Sequence, residues 1–172
     1  KGMLAGTPRG SSPTAANKTP KRTYTVRSAP RKAASRPARS SYTVAKNRKS
    51  KFSWPVRGAI VSKFGTIGKG RANDGINIKA ARGPAVKAAD AGTVAYAGNE
   101  LKGFGNLILV RHNDGWITAY AHNDRLLVKK GQKVRRGEKI ATVGATGGVN
   151  SPQLHFEIRA GKKAVNPVAY LP

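Results

Sequence analysis

Five polar side chains after Phe52 have types and spacings that could do chemistry. Asn73 and Asn77 are four residues apart, Gln153 and His155 are two apart, and His122 follows a Tyr-Ala pair. An imidazole can bind a metal ion or move a proton near neutral pH. A side-chain amide does neither well, because its oxygen is uncharged and weakly basic and the group does not ionise. The set therefore favours hydrogen bonding over metal chemistry or proton transfer.

Short β-type runs separated by glycine-containing turns must position these side chains. We predict seven strands after Phe52, over residues 86–89, 92–97, 106–110, 116–121, 126–128, 139–143 and 154–159. The sequence Asn-Asp-Gly at 113–115 predicts a β-hairpin between two of them. No amphipathic helix longer than two turns is expected. The result is an all-β domain over residues 52–172, large enough for one core.

The charge is strongly positive and unevenly distributed. The chain has 33 Lys and Arg against 7 Asp and Glu, and residues 1–51 contain fourteen basic residues and no acidic one. Such a polycation associates with polyanions through salt-sensitive attraction. Acidic cell-wall polymers, anionic lipid head groups and nucleic acid are all candidates by charge. Nucleic acid is not expected as a partner, because no nucleic-acid-binding motif accompanies the charge.

Residues 1–51 consist of Ser, Thr, Ala, Pro, Arg and Lys with almost no large apolar residues. This composition predicts a disordered basic linker, because too little apolar surface is available to offset the entropy of ordering. Two short segments, at 23–26 and 41–44, are similar to the Tyr-Thr-Val opening of LysM glycan-binding modules, but the rest of such a module does not follow. The absence of cysteine excludes a disulfide framework. No run of about 18 apolar residues predicts a membrane span.

The stretches 71–83 and 153–159 resemble the two signature segments of the LytM (M23) zinc endopeptidases, which cut peptidoglycan cross-links. Those enzymes carry H-x-x-x-D in the first segment and H-x-H in the second. Asn73 and Asn77 stand at the His and Asp of the first segment, and Gln153 stands at the first His of the second. His155 matches a ligand, and His122 matches the family's Y-x-H segment. The resemblance therefore implies a family fold without bound zinc, without another cofactor and without catalytic activity.

Residues 52–172 resemble this family along nearly their whole length. Residues 96–108, 119–124 and 165–172 are similar to its catalytically degenerate branch, the NlpD-like and EnvC-like murein hydrolase activators. The resemblance implies a β-sandwich of the duplicated-hybrid-motif type with a groove. Residues 127–134 and 137–141 are also similar to the barrel-sandwich hybrid of lipoyl carriers, but they lack a lysine-bearing hairpin tip, so only a strand arrangement is shared.

The same resemblance implies a monomeric protein of the bacterial periplasm, with an upstream lipid anchor to the outer membrane as one option. Its implied partners are peptidoglycan and a periplasmic zinc-dependent N-acetylmuramoyl-L-alanine amidase, which it would activate during daughter-cell separation. The vacated groove would bind the amidase. The residues expected to line it are Asn73, Asn77, His122, Gln153 and His155, with Lys79 and Arg159 nearby.

Alternative interpretations stay open. The chain could be a metallo-endopeptidase with altered ligands, with Asp74 as a substitute carboxylate, or a peptidoglycan-binding scaffold held on the wall by its charge. His122 and His155 could simply be satisfied by neighbouring backbone. The cations around the site could form a solvated basic face, namely Arg71, Lys79, Arg82 and Arg159. His112 stands beside the 113–115 turn and is expected to be a solvated loop residue.

Overall fold

The computed structural model of the protein describes residues 52–68 and 70–172. The linker predicted over residues 1–51 lies outside the described residues. The described part contains twelve strands and one 3₁₀-helix, Pro167–Ala169, and none of its residues belongs to a helix that could cross a membrane. The strands are β1 (Ala59–Ser62), β2 (Gly65–Thr66), β3 (Ala72–Asn73), β4 (Ile76–Lys79), β5 (Ala85–Lys87), β6 (Gly92–Gly98), β7 (Asn106–Arg111), β8 (Trp116–Leu126), β9 (Lys133–Val134), β10 (Lys139–Val143), β11 (Gln153–Ala160) and β12 (Lys163–Val165).

Ten of these strands form one antiparallel sheet. Its order is β1-β4-β11-β8-β7-β6-β9, and β12 pairs with the end of β11. The strand β10 pairs with β5 and with the last part of β8. The strands β2 and β3 form a separate hairpin. The long strand β8 therefore joins the β5–β10 pair to the other eight strands of the ten-stranded sheet, and we call those eight strands the main sheet.

Side-chain alternation along β4 and β11 gives the main sheet two different faces. Isoleucine, leucine and phenylalanine side chains occupy one face and are fully buried, namely Ile76, Ile78, Leu154, Phe156 and Ile158. They pack in one core with Val86 of β5 and Ile140 of β10, which are also fully buried. The β5–β10 pair thus covers this side. The opposite side of the sheet, which we call the open face, carries the polar side chains of β4 and β11.

The predicted all-β fold is confirmed, and five of the seven predicted strands lie within observed ones. The hairpin at 113–115 is also confirmed, because β7 pairs with β8 across it. The predicted strand at 126–128 is wrong, since Leu126 is the last residue of β8 and the next two residues are in no strand. The strand predicted at 86–89 occupies Ala85–Lys87. The strands β1 and β4 were not predicted.

His112 is not the solvated loop residue that its position beside a turn predicts. It is buried, with its ring 5.2 Å from the ring of Phe52. Its Nδ1 atom lies 2.7 Å from the carbonyl oxygen of Ala91, and its Nε2 atom lies 3.0 Å from the Thr118 hydroxyl. The turn itself is at the surface, but the side chain points back into the core side of the sheet, where two polar partners compensate its burial.

Candidate functional site

The register of β4 and β11 brings the two signature segments together on the open face. Asn77 pairs with His155, and Lys79 pairs with Gln153. Because directly paired residues of an antiparallel sheet project to the same face, the amide of Asn77 and the imidazole of His155 meet although 78 residues separate them. Asn73 reaches the same place from the β2–β3 hairpin, which precedes β4.

The three amides form a continuous hydrogen-bonded chain, which we call the amide cluster (Asn73, Asn77 and Gln153). Asn73 Nδ2 donates to Asn77 Oδ1 at 3.1 Å, and Asn77 Nδ2 donates to Gln153 Oε1 at 2.9 Å. The backbone N–H of Gly75 donates to Asn73 Oδ1 at 3.1 Å. Since a backbone N–H can only donate, this last bond fixes which end of each amide is the oxygen. The amide cluster is therefore a chain of hydrogen bonds with a single donor direction, in which each amide orients the next.

His155 is held between an amide and a carboxylate. Its Nδ1 atom lies 3.0 Å from Asn77 Oδ1 and its Nε2 atom 3.1 Å from Glu157 Oε1. Side-chain oxygen atoms therefore hold the ring from both sides. Burial alone would raise the pKa of the Glu157 carboxyl, but hydrogen bonds from His155 and Arg159 outweigh it and hold that pKa below its ordinary value. Arg159 Nη1 donates to Glu157 Oε2 at 2.7 Å.

His122 occupies the point at which β8 changes partners. The strand pairs with β11 up to Ala121 and with β10 from Asn123. Between them His122 has φ of 63°, in the left-handed region that non-glycine residues rarely enter. Its backbone N–H donates to the Phe104 carbonyl at 2.9 Å. The unusual backbone conformation turns the ring towards His155, at a centroid distance of 6.0 Å.

The imidazole of His122 presents an open acceptor. Its Nδ1 atom lies 2.8 Å from the Thr146 carbonyl oxygen, which requires the proton on Nδ1. Burial lowers the pKa of His122, the hydrogen bond to Thr146 opposes this, and His155 lowers it further. The ring is therefore favoured in its neutral form. Within the described ranges, Nε2 has no hydrogen-bond partner and can accept a bond from another molecule.

Two walls enclose these side chains and define what we call the groove. The β2–β3 hairpin forms one wall. The loop 99–105 forms the other, and it is fixed to the loop after β10 by the bond from Gly148 N to the Gly103 carbonyl at 2.9 Å. This second wall exposes two apolar side chains, Leu101 and Phe104, and the Phe104 ring lies 6.1 Å from that of His155. Because of the walls, Asn73, His122 and His155 are less than a tenth exposed although they lie on the open face.

The donor set of the groove does not fit the zinc ion of the LytM endopeptidases. A zinc site needs imidazole, thiolate or carboxylate ligands with lone pairs aimed at one point. Here Asn77 Oδ1 accepts a hydrogen bond from Asn73 Nδ2, and Gln153 Oε1 accepts one from Asn77 Nδ2. Both ring nitrogens of His155 face side-chain oxygen atoms of its neighbours. Over the described residues, no group of three or more His, Asp, Glu or Cys side chains is placed to hold a metal ion.

The structure thus brings together five of the seven side chains predicted to line the groove, namely Asn73, Asn77, His122, Gln153 and His155. Lys79 is exposed at the edge, beside Gln153 in the strand register. Arg159 lies on the same face of β11, where it bonds to Glu157 and to the Lys162 carbonyl. The structure does not support Asp74 as a substitute metal ligand. Its carboxylate is exposed, and its Oδ2 atom lies 3.7 Å from Arg159 Nη1.

The two other cations expected near the site, Arg71 and Arg82, are exposed. Arg82 donates from Nε to Asp124 Oδ1 at 3.0 Å, which ties it to β8, and Arg71 is exposed beside the β2–β3 hairpin. Glu157 was not predicted at all, although it is buried and organises His155. A signal for it exists, because Gln153, His155, Glu157 and Arg159 alternate along one face of a strand.

The comparisons with known proteins agree with this geometry. Residues 71–167, more than half of the chain, match the family described as Peptidase family M23. The cell division protein DipM of Caulobacter vibrioides is 53% identical over 130 residues, which cover 72% of this chain and 21% of that protein. The murein hydrolase activator NlpD of Escherichia coli is 50% identical over 123 residues, which cover 72% of this chain and 32% of that protein.

A crystal structure of a zinc-containing peptidase from Vibrio cholerae is similar to the fold, with a TM-score of 0.64 at 34% sequence identity. The match covers 71% of this chain and 41% of that one. This chain spans about a fifth to a third of the length of the curated relatives named above. With the family match, the sheet topology and the placement of both signature segments in agreement, the chain belongs to peptidase family M23.

Proposed function

We propose that this domain activates a peptidoglycan amidase without catalysing a reaction itself, and that it binds the amidase through the groove. The observation that carries the proposal is the amide cluster. In an M23 fold, the positions that resemble the zinc signature hold side chains that bond to one another, while the strands and walls around them are kept. A protein named as a murein hydrolase activator is 50% identical to this chain, which supports the same role here.

The groove has the composition of a protein-binding site. Leu101 and Phe104 offer exposed apolar surface on one wall, and apolar anchors supply most of the affinity in such interfaces. The polar floor offers His122 Nε2 as an acceptor and the amide cluster as a fixed pattern of donors and acceptors. Because the amides are already oriented by one another, a partner would lose little free energy in ordering them.

Activation follows if the groove binds one conformation of the amidase more tightly than the other. A ligand shifts an equilibrium only by its differential affinity for the two states. A domain that binds only the active conformation of the amidase would raise the fraction of active amidase without contacting the substrate. The protein would act in the cell envelope, on the periplasmic side where peptidoglycan lies, with or without an upstream lipid anchor.

Dye release from labelled peptidoglycan sacculi tests the proposal. The complete chain should release no dye alone and should increase release by a candidate periplasmic amidase. Leu101→Ala should reduce the stimulation about tenfold, the loss expected from removing an apolar anchor. Leu127→Ala is the matched control, because Leu127 is as exposed as Leu101 (46% against 48%) but lies outside the groove.

Three outcomes would contradict the proposal. The first is the absence of stimulation with every amidase tested. The second is an equal effect of the two leucine substitutions, which would show that the groove does not bind the amidase. The third is chelator-sensitive release by the chain alone, which would identify a metallo-endopeptidase with altered ligands.

A further inference from the structure

A second candidate surface lies away from the groove and consists of two clefts that meet at Gly137. One has a volume of about 830 Å³ and lies against Trp54, and the other has a volume of about 960 Å³ and lies against β9. Each is within the size range of ligand pockets in proteins. The two clefts share Gly137 in their linings, so they adjoin at that residue.

The first cleft is lined by an indole ring and by rigid apolar residues. Trp54 is half-buried, and its Nε1–H donates to the Pro172 carbonyl at 3.0 Å, which fixes the plane of the ring. Pro55 and Pro84 lie beside it in the same cleft. An aromatic side chain held in this way offers apolar contact area at little entropic cost.

Cations that have no ionic partner among the described residues line both clefts. Arg57 and Lys87 line the first cleft, and Lys133 and Arg135 line the second. None of these four forms an ion pair with another residue of the described segments. By contrast, Arg136 is paired with Asp90 at 3.0 Å, and the carboxylate of Glu138 accepts the backbone N–H of Arg135 at 2.8 Å. The free cations outnumber the acidic groups that could neutralise them here.

One of these cations, Lys87, also faces a like charge, which acts against the stability of the fold. Lys87 of β5 stands directly opposite Lys139 of β10 in the strand register. Like charges in this position repel and destabilise a sheet. Both side chains are exposed, so either position could carry a neutral residue without loss of packing. A bound anion would turn this repulsion into attraction.

These clefts face away from the groove. Val86 and Ile140, the neighbours of Lys87 and Lys139, point into the core that separates the β5–β10 pair from the main sheet. The two lysines therefore point outwards on the far side of the domain. The second cleft includes Asn113, at the turn before β8, whereas His122 lies six residues beyond the start of that strand, about 20 Å away. A molecule in the clefts leaves the groove free.

We infer that the joined clefts bind an anionic glycan strand, a polymer of amino sugars that bears carboxylates. The fixed indole provides a flat apolar contact, and the cations that have no ionic partner among the described residues complement carboxylates. In the setting of the proposed function, on which this identification rests, the polymer is peptidoglycan. The domain then holds the wall on one side and the enzyme that acts on it on the other.

Tryptophan fluorescence of the complete chain tests the inference. The chain has two tryptophans, and Trp116 is only 1% exposed, so Trp54 reports on the first cleft. The probe is soluble glycan–peptide fragments released from peptidoglycan by a muramidase. They should change the emission, and the change should disappear in Trp54→Phe. Lys87→Glu/Lys139→Glu should raise the midpoint of the titration about tenfold, because two attractions become repulsions.

The matched control is Lys162→Glu/Lys163→Glu, which makes the same change in net charge at two exposed lysines beside β12 and should shift the midpoint less than about twofold. An equal shift in both variants would overturn the inference, as would unchanged binding of fragments whose carboxylates have been amidated. Emission changes with phosphatidylglycerol vesicles but not with fragments would assign the surface to lipid instead. Amidase stimulation on a soluble substrate should survive Lys87→Glu/Lys139→Glu, so this inference and the proposed function can fail separately.

Discussion

The two faces of the main sheet each carry a polar network built around a histidine, and the networks differ in what surrounds them. On the core side, the Thr118 hydroxyl lies 3.0 Å from His112 Nε2 and 2.9 Å from the Tyr120 hydroxyl, which accepts the Ala89 N–H at 2.8 Å. On the open face, His155 lies between the amide cluster and Glu157. The first network is closed by core residues, whereas the second ends at a groove.

This difference separates stability from recognition. Each group named in the core network has a partner inside the fold, and breaking one partnership leaves a buried polar atom unpaired, which costs about 1–3 kcal/mol. The groove network keeps one acceptor, His122 Nε2, without a partner among the described residues, and it lies next to exposed apolar side chains. Substitutions in the core network should therefore lower the free energy of unfolding, whereas substitutions in the groove should change what the protein binds.

The largest expected effect comes from converting the groove into a metal site. Asn73→His/Asn77→Asp would place an imidazole and a carboxylate beside His155, whose Nδ1 atom is 3.0 Å from the present amide oxygen. With three ligands of the types that zinc prefers, zinc affinity should rise on the order of a thousandfold or more. Stimulation of the amidase should be lost, since the amide pattern is gone. Metal content after gel filtration and dye release measure the two results.

The same double substitution combined with His155→Ala is the control for this experiment and should bind no zinc. If the double variant contains no stoichiometric zinc, the side chains do not converge as the hydrogen bonds indicate. If it binds zinc and still stimulates the amidase, the amide cluster is not part of the binding surface.

Tyr120→Phe should have the largest effect on stability. The substitution leaves the Ala89 N–H and the Thr118 hydroxyl short of a partner inside the core, so the free energy of unfolding should fall by about 2 kcal/mol in a urea titration. Stimulation by the folded variant should be unchanged. Tyr96→Phe removes a hydroxyl at the exposed surface, where it contacts Glu100, and should change stability by less than about 0.5 kcal/mol. Equal effects of the two substitutions would contradict the distinction between the faces.

Glu157→Gln should have a smaller, pH-dependent effect. The pKa of this carboxyl is below its ordinary value, so its contribution is present above about pH 4.3, the unfolded value, and is lost as the pH falls through the lower folded value. The variant should lose about 1 kcal/mol at pH 7 and nothing at pH 2. Asp74→Asn is the control at an exposed carboxylate beside the same arginine. A deficit that persists at pH 2 would mean that shape, not charge, is responsible.

The fold could be predicted from the sequence because its signals are local. Alternating apolar residues and the Asn-Asp-Gly turn located six of the twelve described strands, namely β5–β8, β10 and β11. The strand β4 was not predicted, because Ile-Asn-Ile-Lys is only four residues long and lies inside a motif interpreted for its chemistry. The end of β8 was misplaced for a different reason. The strand β8 continues past His122 because its pairing partner changes there from β11 to β10, and both partners are distant from it in the sequence.

The residues of the candidate site that belong to a motif could be predicted from the sequence. The contacts that depend on packing could not. The amide positions and both histidines came from the resemblance to the family's signature segments, and the structure brings their side chains together. The burial of His112 depends on Phe52 and Thr118, which the sequence does not mark as its neighbours. The hydrogen bond of Arg159 depends on Glu157, a carboxyl group whose pKa burial raises and the hydrogen bonds from His155 and Arg159 lower.

The smallest expected effect concerns His122 and sharpens the contrast between the histidines. Its pKa is below the ordinary value because of burial, so protons bind more tightly to the unfolded chain. Its stabilising contribution is complete above about pH 6.5 and declines as the pH falls through the lower folded value. His122→Asn tolerates the left-handed backbone and cannot titrate, so its stability should fall less between pH 7 and pH 5 than that of the unmodified chain. Urea titrations across this range measure the difference. Identical slopes in the two proteins would show that His122 is not held neutral, and that its Nε2 atom is not the acceptor that the groove offers to a partner.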